Sequence, residues 1–150
     1  MTAPVLVFGY GNPSRGDDAV GPEFVRRLEL SQADAIARGE LEVLTDFQLQ
    51  VEHALDLKGR ERVYFVDATV EGGAAGFAVT PVEPSKDATF TTHVLSPQAL
   101  LHTYQAVVRA PPPQAFVIAI RGERFELGES MSTAATAHLE AALTAFAALR

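Results

Sequence analysis

Two adjacent carboxylates follow a glycine-rich turn near the start of the chain. Asp17 and Asp18 come directly after Gly16, and Gly11 lies five residues before Gly16. This spacing is that of a phosphate-binding loop, which needs Lys and then Ser or Thr after its second glycine. Because carboxylates stand at those two positions, the loop would repel phosphate and attract a cation. The dinucleotide fingerprint also fails, since its third glycine would fall on Ser14, so we expect neither a nucleotide nor a flavin.

Asp67 is a third carboxylate with a similar placement, because it ends the apolar run of residues 63–66. A continuously apolar run is typical of a strand inside a parallel sheet. Asp18 likewise follows the first apolar run, at residues 5–8. Since the carboxyl ends of parallel strands share one edge of a sheet, we expect Asp18 and Asp67 to converge there and to bind a cation. Asp17 is instead predicted to cap the helix that follows, with a role as general base as the alternative.

The chain has four histidines and no cysteine. Thiol nucleophiles, disulfides and cysteine-ligated zinc are therefore excluded, and no G-x-S-x-G nucleophile motif occurs. His53 and His102 lie on predicted helices without a metal-binding motif, and His138 precedes Glu140 in an H-x-E pattern that lacks the cysteine ligands of zinc deaminases. His93 lies in a polar segment that could reach the same sheet edge as the carboxylates. The residues alone thus predict an open metal site of two carboxylates and one imidazole.

Apolar strands alternate with helical segments along the chain. This order predicts a single α/β domain over residues 1–150, with a mostly parallel, twisted sheet of about five strands and helices on both faces, in three α/β/α layers. The predicted strands are residues 4–9, 41–44, 63–68, 115–120 and an edge strand at 77–82. The predicted helices are residues 17–29 and 51–57, a helix begun by Ser96 and Pro97, and a final helix capped by Ser132.

Composition narrows the class of protein. With 47% hydrophobic residues among 150, the chain can bury a sizeable core. Its net charge of -7 argues against nucleic acid or an anionic membrane as a partner. No apolar run approaches the ~18 residues of a membrane span, and the first residues lack the pattern of a signal peptide. We therefore expect a cytoplasmic protein.

Three segments of the sequence, in the same order, resemble the motifs of the hydrogenase maturation proteases. Residues 7–22 are similar to the first motif, a G-x-G-N turn followed by paired acidic residues, and residues 65–68 are similar to the second, a strand ending in Asp-Ala. Residues 92–97 resemble the third motif, a histidine ahead of a helix, and residues 122–129 also resemble members of the family. The resemblance covers nearly the whole chain and implies a phosphorylase/hydrolase-like α/β/α fold.

The resemblance also implies an activity. Members of this family are endopeptidases that remove the C-terminal extension of a nickel-iron hydrogenase large-subunit precursor once nickel has been inserted. Their metal ligands and catalytic positions correspond to Asp18, Asp67 and His93, which would contact nickel supplied by the substrate. Residues 46–50 depart from the glycine-rich segment that contacts substrate in the family, so the resemblance does not specify which precursor is cut.

Three other functions are compatible with the same residues. The chain could be a non-cleaving, metal-dependent docking or chaperone module for the same precursor. It could be a general metallopeptidase that cuts unrelated peptides with zinc. A flavodoxin-like protein that binds small molecules is the third alternative, and the acidic loop disfavours its phosphate ligands.

Overall fold

The computed structural model describes residues 2–71, 73–86 and 95–149. Four α-helices and two 3-10 helices, at Gly16–Ala19 and Val51–Leu57, accompany five strands in this part of the chain. The strands are β1 (Val5–Tyr10), β2 (Leu41–Asp46), β3 (Arg62–Thr69), β4 (Phe77–Val82) and β5 (Gln114–Arg121), and the α-helices are α1 (Val20–Ser31), α2 (Ala33–Ala37), α3 (Pro97–Val108) and α4 (Thr133–Leu149).

The five strands form one sheet in the order β2-β1-β3-β5-β4. Strands β1, β2, β3 and β5 pair in parallel, whereas β4 pairs antiparallel with β5 at the edge. The predicted mostly parallel sheet of about five strands is confirmed, as is the edge strand. Because β1, β2, β3 and β5 run in one direction, the segments that follow them all leave the sheet at the carboxyl ends of these strands. We call this side of the sheet the carboxyl edge.

Helices cover both faces of the sheet, as the predicted three-layer arrangement requires. On one face, α1 and α4 pack through Phe24, Leu139 and Phe146 against β1, β3 and β5. On the other face, α3 and the 3-10 helix Val51–Leu57 pack through Leu100 and neighbouring apolar residues. The central strands are buried on both sides, which accounts for their continuously apolar sequences. Among the described residues, no helix is both long and apolar enough to cross a bilayer.

The start of the first helix differs from the prediction. Residues 16–19 form a 3-10 turn, and the α-helix begins only at Val20. The backbone amides of Gly16 and Asp17 donate to the carbonyls of Glu129 and Arg124, at 3.0 and 2.7 Å, so this turn is shaped by the loop after β5. A second short helix, at residues 33–37, follows α1 and lies beyond the helices predicted from the sequence.

The two predicted serine caps are confirmed. Ser96 Oγ accepts a hydrogen bond from the Ala99 amide at 3.1 Å, with Pro97 as the first residue of α3. Ser132 Oγ accepts one from the Ala135 amide, also at 3.1 Å, at the start of α4. These caps satisfy amides that have no partner inside their helices, which fixes where each helix begins.

Candidate active site

A cleft of about 360 Å³ opens at the carboxyl edge, where the segments after β1, β2 and β3 meet. Two carboxylates, Asp18 and Asp67, both line it. The prediction that sheet topology would bring these two side chains together is therefore confirmed. The remaining wall is formed by Tyr10, Gly11, Asn12, Arg15, Phe47 and Gln48.

Asp18 lies at the end of a tight loop and is partly buried. Its Oδ2 accepts a hydrogen bond from the backbone amide of Asn12 at 2.6 Å, across the loop. Gly11 makes this closure possible: it adopts a φ of +146°, and a Cβ there would lie 2.1 Å from the Asp18 carbonyl oxygen. The glycine-rich turn therefore serves to bring the backbone against Asp18, which fixes the direction of its carboxylate.

Asp67 lies near the end of β3, beside the end of β1. Its Oδ1 accepts a hydrogen bond from the Ala68 amide at 2.8 Å, and its carboxyl group is also hydrogen-bonded to the hydroxyl of Tyr10. The pKa of Asp67 is raised to about 6, chiefly by burial; the nearby charge of Asp18 also acts to raise it, and both hydrogen bonds act to lower it. Because burial and the neighbouring charge disfavour its ionised form, Asp67 is stabilised when a proton or a cation neutralises it.

Tyr10 is a buried member of the cleft that the sequence interpretation passed over. Burial and the two neighbouring carboxylates raise the pKa of Tyr10 well above its ordinary value, so its hydroxyl stays protonated and able to donate to Asp67. The register of β1 against β3 explains this contact. Gly9 pairs with Val66, so Tyr10 and Asp67 are the next residues along neighbouring parallel strands.

The third predicted ligand, His93, lies outside the described residues. Within the part of the chain that the structure describes, no group of three His, Cys, Asp or Glu side chains is arranged to hold a metal ion. The assignment of Asp18, Asp67 and His93 as metal ligands therefore stays a prediction.

The other three histidines lie outside the cleft. His53 Nδ1 accepts a hydrogen bond from the Gln50 amide at 2.8 Å, and its Nε2 lies 3.2 Å from Asp46 Oδ2. His138 on α4 contacts the carbonyl oxygen of Arg121 at 3.2 Å. His102 is exposed on α3. None of these three lines the cleft that holds Asp18 and Asp67.

The His53–Asp46 contact fixes the loop that follows β2. Asp46 Oδ1 also accepts from the Phe47 amide at 2.6 Å, and Leu49 is buried between the loop and the sheet. Phe47 and Gln48 are thereby held at the mouth of the cleft with exposed side chains. The position of Phe47 and Gln48 could not be predicted from the sequence, because the His53–Asp46 contact depends on the path of the chain after β2.

Asp17 has neither of the roles predicted for it. Its side chain is completely buried. Its carboxylate accepts hydrogen bonds from the Ser132 amide and hydroxyl, at 2.6 and 2.7 Å, and from the amides of Glu123 and Arg124, at 2.7 and 3.2 Å. Burial acts to raise the pKa of Asp17, but these hydrogen bonds outweigh it and lower the pKa overall. Asp17 therefore ties the loop of Asp18 to α4 and the segment after β5, and it has no access to the cleft as a general base.

Solved structures with this architecture are available for comparison. HycI, a [NiFe] hydrogenase maturation protease from Thermococcus kodakarensis KOD1, superimposes with a TM-score of 0.72 at 22% identity over 98% of this chain and 92% of its own. This is the fold of the hydrogenase maturation proteases. The endopeptidase HybD from E. coli gives the same TM-score and identity over 100% of this chain and 93% of its own. A hydrogenase 2 maturation peptidase from a Thaumarchaeota archaeon gives 0.64 at 24% identity, over 97% and 96%.

The resemblance predicted from three sequence motifs is therefore confirmed at the level of the fold. No family model and no curated protein matches the sequence. The structural likeness extends over nearly the full length of both chains, so the cleft lies in a framework that these peptidases share.

Proposed function

We propose that this chain is an endopeptidase that removes the C-terminal extension of a nickel-iron hydrogenase large-subunit precursor. The observation that carries the proposal is the convergence of Asp18 and Asp67 in one cleft, at the edge where this fold's parallel strands end. The fold shared with HycI and HybD supports the reaction class. The Asp-Ala strand end and the paired acidic turn are the motifs that predicted it from the sequence.

In this proposal the substrate brings its own nickel. Asp18 and Asp67 are negatively charged oxygen donors on one wall of the cleft, and His93 would add an imidazole, a donor set that accepts a borderline divalent cation. The bound ion would place the scissile peptide bond beside these residues and draw electron density from its carbonyl group. A precursor without nickel would lack this contact and would be left uncut.

The first testable prediction concerns the two proposed ligands Asp18 and His93. We expect Asp18→Asn and His93→Ala to lower the rate of cleavage of nickel-loaded precursor by ~100-fold or more, because ion-mediated stabilisation is worth several kcal/mol. The matched control is Asp34→Asn, which removes an exposed carboxylate on α2 and should cut at the wild-type rate. Product is measured as the shortened large subunit on a denaturing gel, with nickel-free precursor in parallel.

Three outcomes would contradict parts of the proposal. Normal cleavage by Asp18→Asn or His93→Ala would remove that residue from the site. Equal cleavage of nickel-free and nickel-loaded precursor by the wild-type chain would remove the role of nickel. Binding of the precursor without any shortened product would identify the chain as a non-cleaving docking module.

A further inference from the structure

Asn12 contributes a side-chain amide to the cleft that holds Asp18 and Asp67. Its Oδ1 accepts a hydrogen bond from the backbone amide of Ser14, two residues further on, at 2.9 Å. Because only the oxygen of a carboxamide can accept from an N–H group, this contact fixes which end of the side chain carries the NH2 group. The orientation of the Asn12 carboxamide is therefore set by the turn itself.

The backbone of Asn12 is held as well as its side chain. Its amide donates to Asp18 Oδ2 at 2.6 Å, and its carbonyl oxygen accepts from the Arg15 amide at 3.1 Å. The preceding residue, Gly11, donates its amide to the carbonyl of Asp46 at 3.1 Å, which joins this turn to the end of β2. Asn12 is thus fixed against the carboxylate of Asp18.

The NH2 group is the part of Asn12 that these contacts leave available. Asn12 Nδ2 donates to no other residue that the structure describes. Asn12 is half-buried, and within residues 2–71, 73–86 and 95–149 no buried side-chain nitrogen or oxygen lacks a hydrogen-bond partner. Nδ2 is therefore accessible to solvent, and a substrate that displaces this solvent must offer an acceptor, because burying an unpaired donor is unfavourable.

Peptide hydrolysis creates such an acceptor. When the oxygen of a water adds to the carbonyl carbon, the electron pair of the C=O double bond moves to the carbonyl oxygen, which becomes negatively charged. That pair returns when the C–N bond breaks, and one proton of the water ends on the released amine and the other on the new carboxyl group. A fixed amide donor that meets this oxygen stabilises the transition state without itself losing a proton.

We propose that Asn12 is a further catalytic residue, whose Nδ2 donates a hydrogen bond to the carbonyl oxygen of the scissile peptide bond. This inference rests on the proposed function. A carbonyl oxygen has two lone pairs, so it can accept from Asn12 and also face the ion of the substrate. Arg15 lines the cleft too, but its side chain is exposed and bonds to no other described residue, so it lacks the fixed position that this role requires.

The test compares two neutral substitutions that differ in whether they can keep the turn. Asn12→Ser retains a side-chain oxygen that can accept from the Ser14 amide, whereas Asn12→Ala retains none, and both lack the NH2 group. Gln105→Ala, which removes an exposed carboxamide on α3, is the matched control. The shortened large subunit is quantified over a range of nickel-loaded precursor concentrations, which gives kcat and KM for each chain. Melting temperatures establish that each chain is folded.

We expect both Asn12 variants to lower kcat by about 100-fold or more and to keep KM within about threefold of the wild type, because the donor acts on charge that develops only in the transition state. Gln105→Ala should match the wild type. A wild-type kcat for Asn12→Ala would overturn the assignment. A normal Asn12→Ser beside a slow Asn12→Ala would also overturn it, since Oδ1 and the turn would then account for the effect. A loss expressed in KM alone would overturn it by identifying a binding contact.

The wild-type chain separates this inference from the proposed function. If the wild type yields no shortened product from nickel-loaded precursor, the peptidase proposal fails and the role of Asn12 fails with it. If the wild type cuts the precursor and Asn12→Ala cuts it equally fast, the peptidase proposal stands and the role of Asn12 alone fails.

Discussion

The carboxylates of Asp17, Asp18 and Asp67 differ in their burial and in the hydrogen bonds that their oxygens accept. Asp17 is buried and accepts four hydrogen bonds. Asp18 is partly buried, and its Oδ2 accepts one backbone amide. Asp67 is held by the Ala68 amide and the Tyr10 hydroxyl while facing the same cleft as Asp18. One residue type therefore has a structural role at Asp17 and a proposed cation-binding role at the other two positions, and the surroundings decide which.

Asp67→Asn tests the effect of burying a carboxylate in the cleft. The pKa of Asp67 is raised from 3.8 to about 6 in the folded chain, so folding favours its protonated form. Its contribution to stability is complete below pH 4 and is lost as the pH rises through 6. At pH 7.5 we therefore expect Asp67→Asn to be more stable than the wild type by on the order of 2 kcal/mol.

The same comparison at low pH provides the control for Asp67. Near pH 4 the wild-type group is neutral, like the amide, and the difference in free energy of unfolding should vanish. Urea unfolding of both chains at several pH values measures this. A wild type that is as stable as Asp67→Asn at pH 7.5, or a difference that grows as the pH falls, would contradict the raised pKa.

Asp17→Asn tests whether Asp17 anchors the loop of Asp18 to α4 and to the segment after β5. An amide cannot accept all the hydrogen bonds that Ser132, Glu123 and Arg124 donate, and its NH2 group would face donors. We expect the free energy of unfolding to fall by about 3 kcal/mol, as when a buried charged acceptor is lost. Asp18→Asn is the neighbouring control and should change it by less than ~1 kcal/mol, because only one amide bonds that side chain. Equal losses in urea unfolding would show that Asp17 is not the anchor.

At the scale of elements, β1 and α1 pack backbone against backbone. A Cβ at Gly21 would lie 2.5 and 2.7 Å from the Tyr10 carbonyl oxygen and amide nitrogen, and one at Gly9 would lie 2.1 Å from the Gly21 carbonyl oxygen. This close approach needs glycine at both positions. It places the start of α1 directly beneath the end of β1, so the loop between them, with Asp18, is short and constrained.

Gly21→Ala tests this packing. Since the nearest atoms belong to the backbone, they cannot move aside as a side chain would, and we expect a loss of about 3 kcal/mol in the free energy of unfolding. Ser31→Ala, at the exposed end of the same helix, should leave stability within ~0.5 kcal/mol of the wild type. Thermal and urea unfolding measure both variants. A Gly21→Ala chain that melts with the wild type would mean that α1 can shift away from β1.

At the scale of the molecule, the sheet order gathers the site from distant parts of the sequence. Strand β1 lies between β2 and β3, so the segments that follow all three meet at one edge. Helix α4 and the loop after β5 reach the same place through Asp17. Among the strands in the described residues, β4 alone runs against the others, and as an edge strand it leaves this convergence intact. The cleft is a product of this topology.

Much of the fold could be predicted from local patterns. The apolar runs of β1 and β3 are buried on both faces, and the serine caps of α3 and α4 depend only on nearby residues. The short helix α2 and the 3-10 turn at residues 16–19 could not be predicted in this way. The turn depends on carbonyls of Arg124 and Glu129, more than 100 residues away, and α2 lacks the length that gives a clear apolar period.

The sequence by itself determined which side chains carry the negative charge of the candidate site, and that two of them, Asp18 and Asp67, lie where strands end. It determined this because apolar runs and glycine turns report local backbone structure. Only the tertiary structure decided that Asp17, of the same type and next to Asp18, is sealed inside by Ser132, and that Tyr10 bonds Asp67. Those outcomes depend on which distant donors folding brings to each carboxylate, and burial and hydrogen bonding then set its charge state.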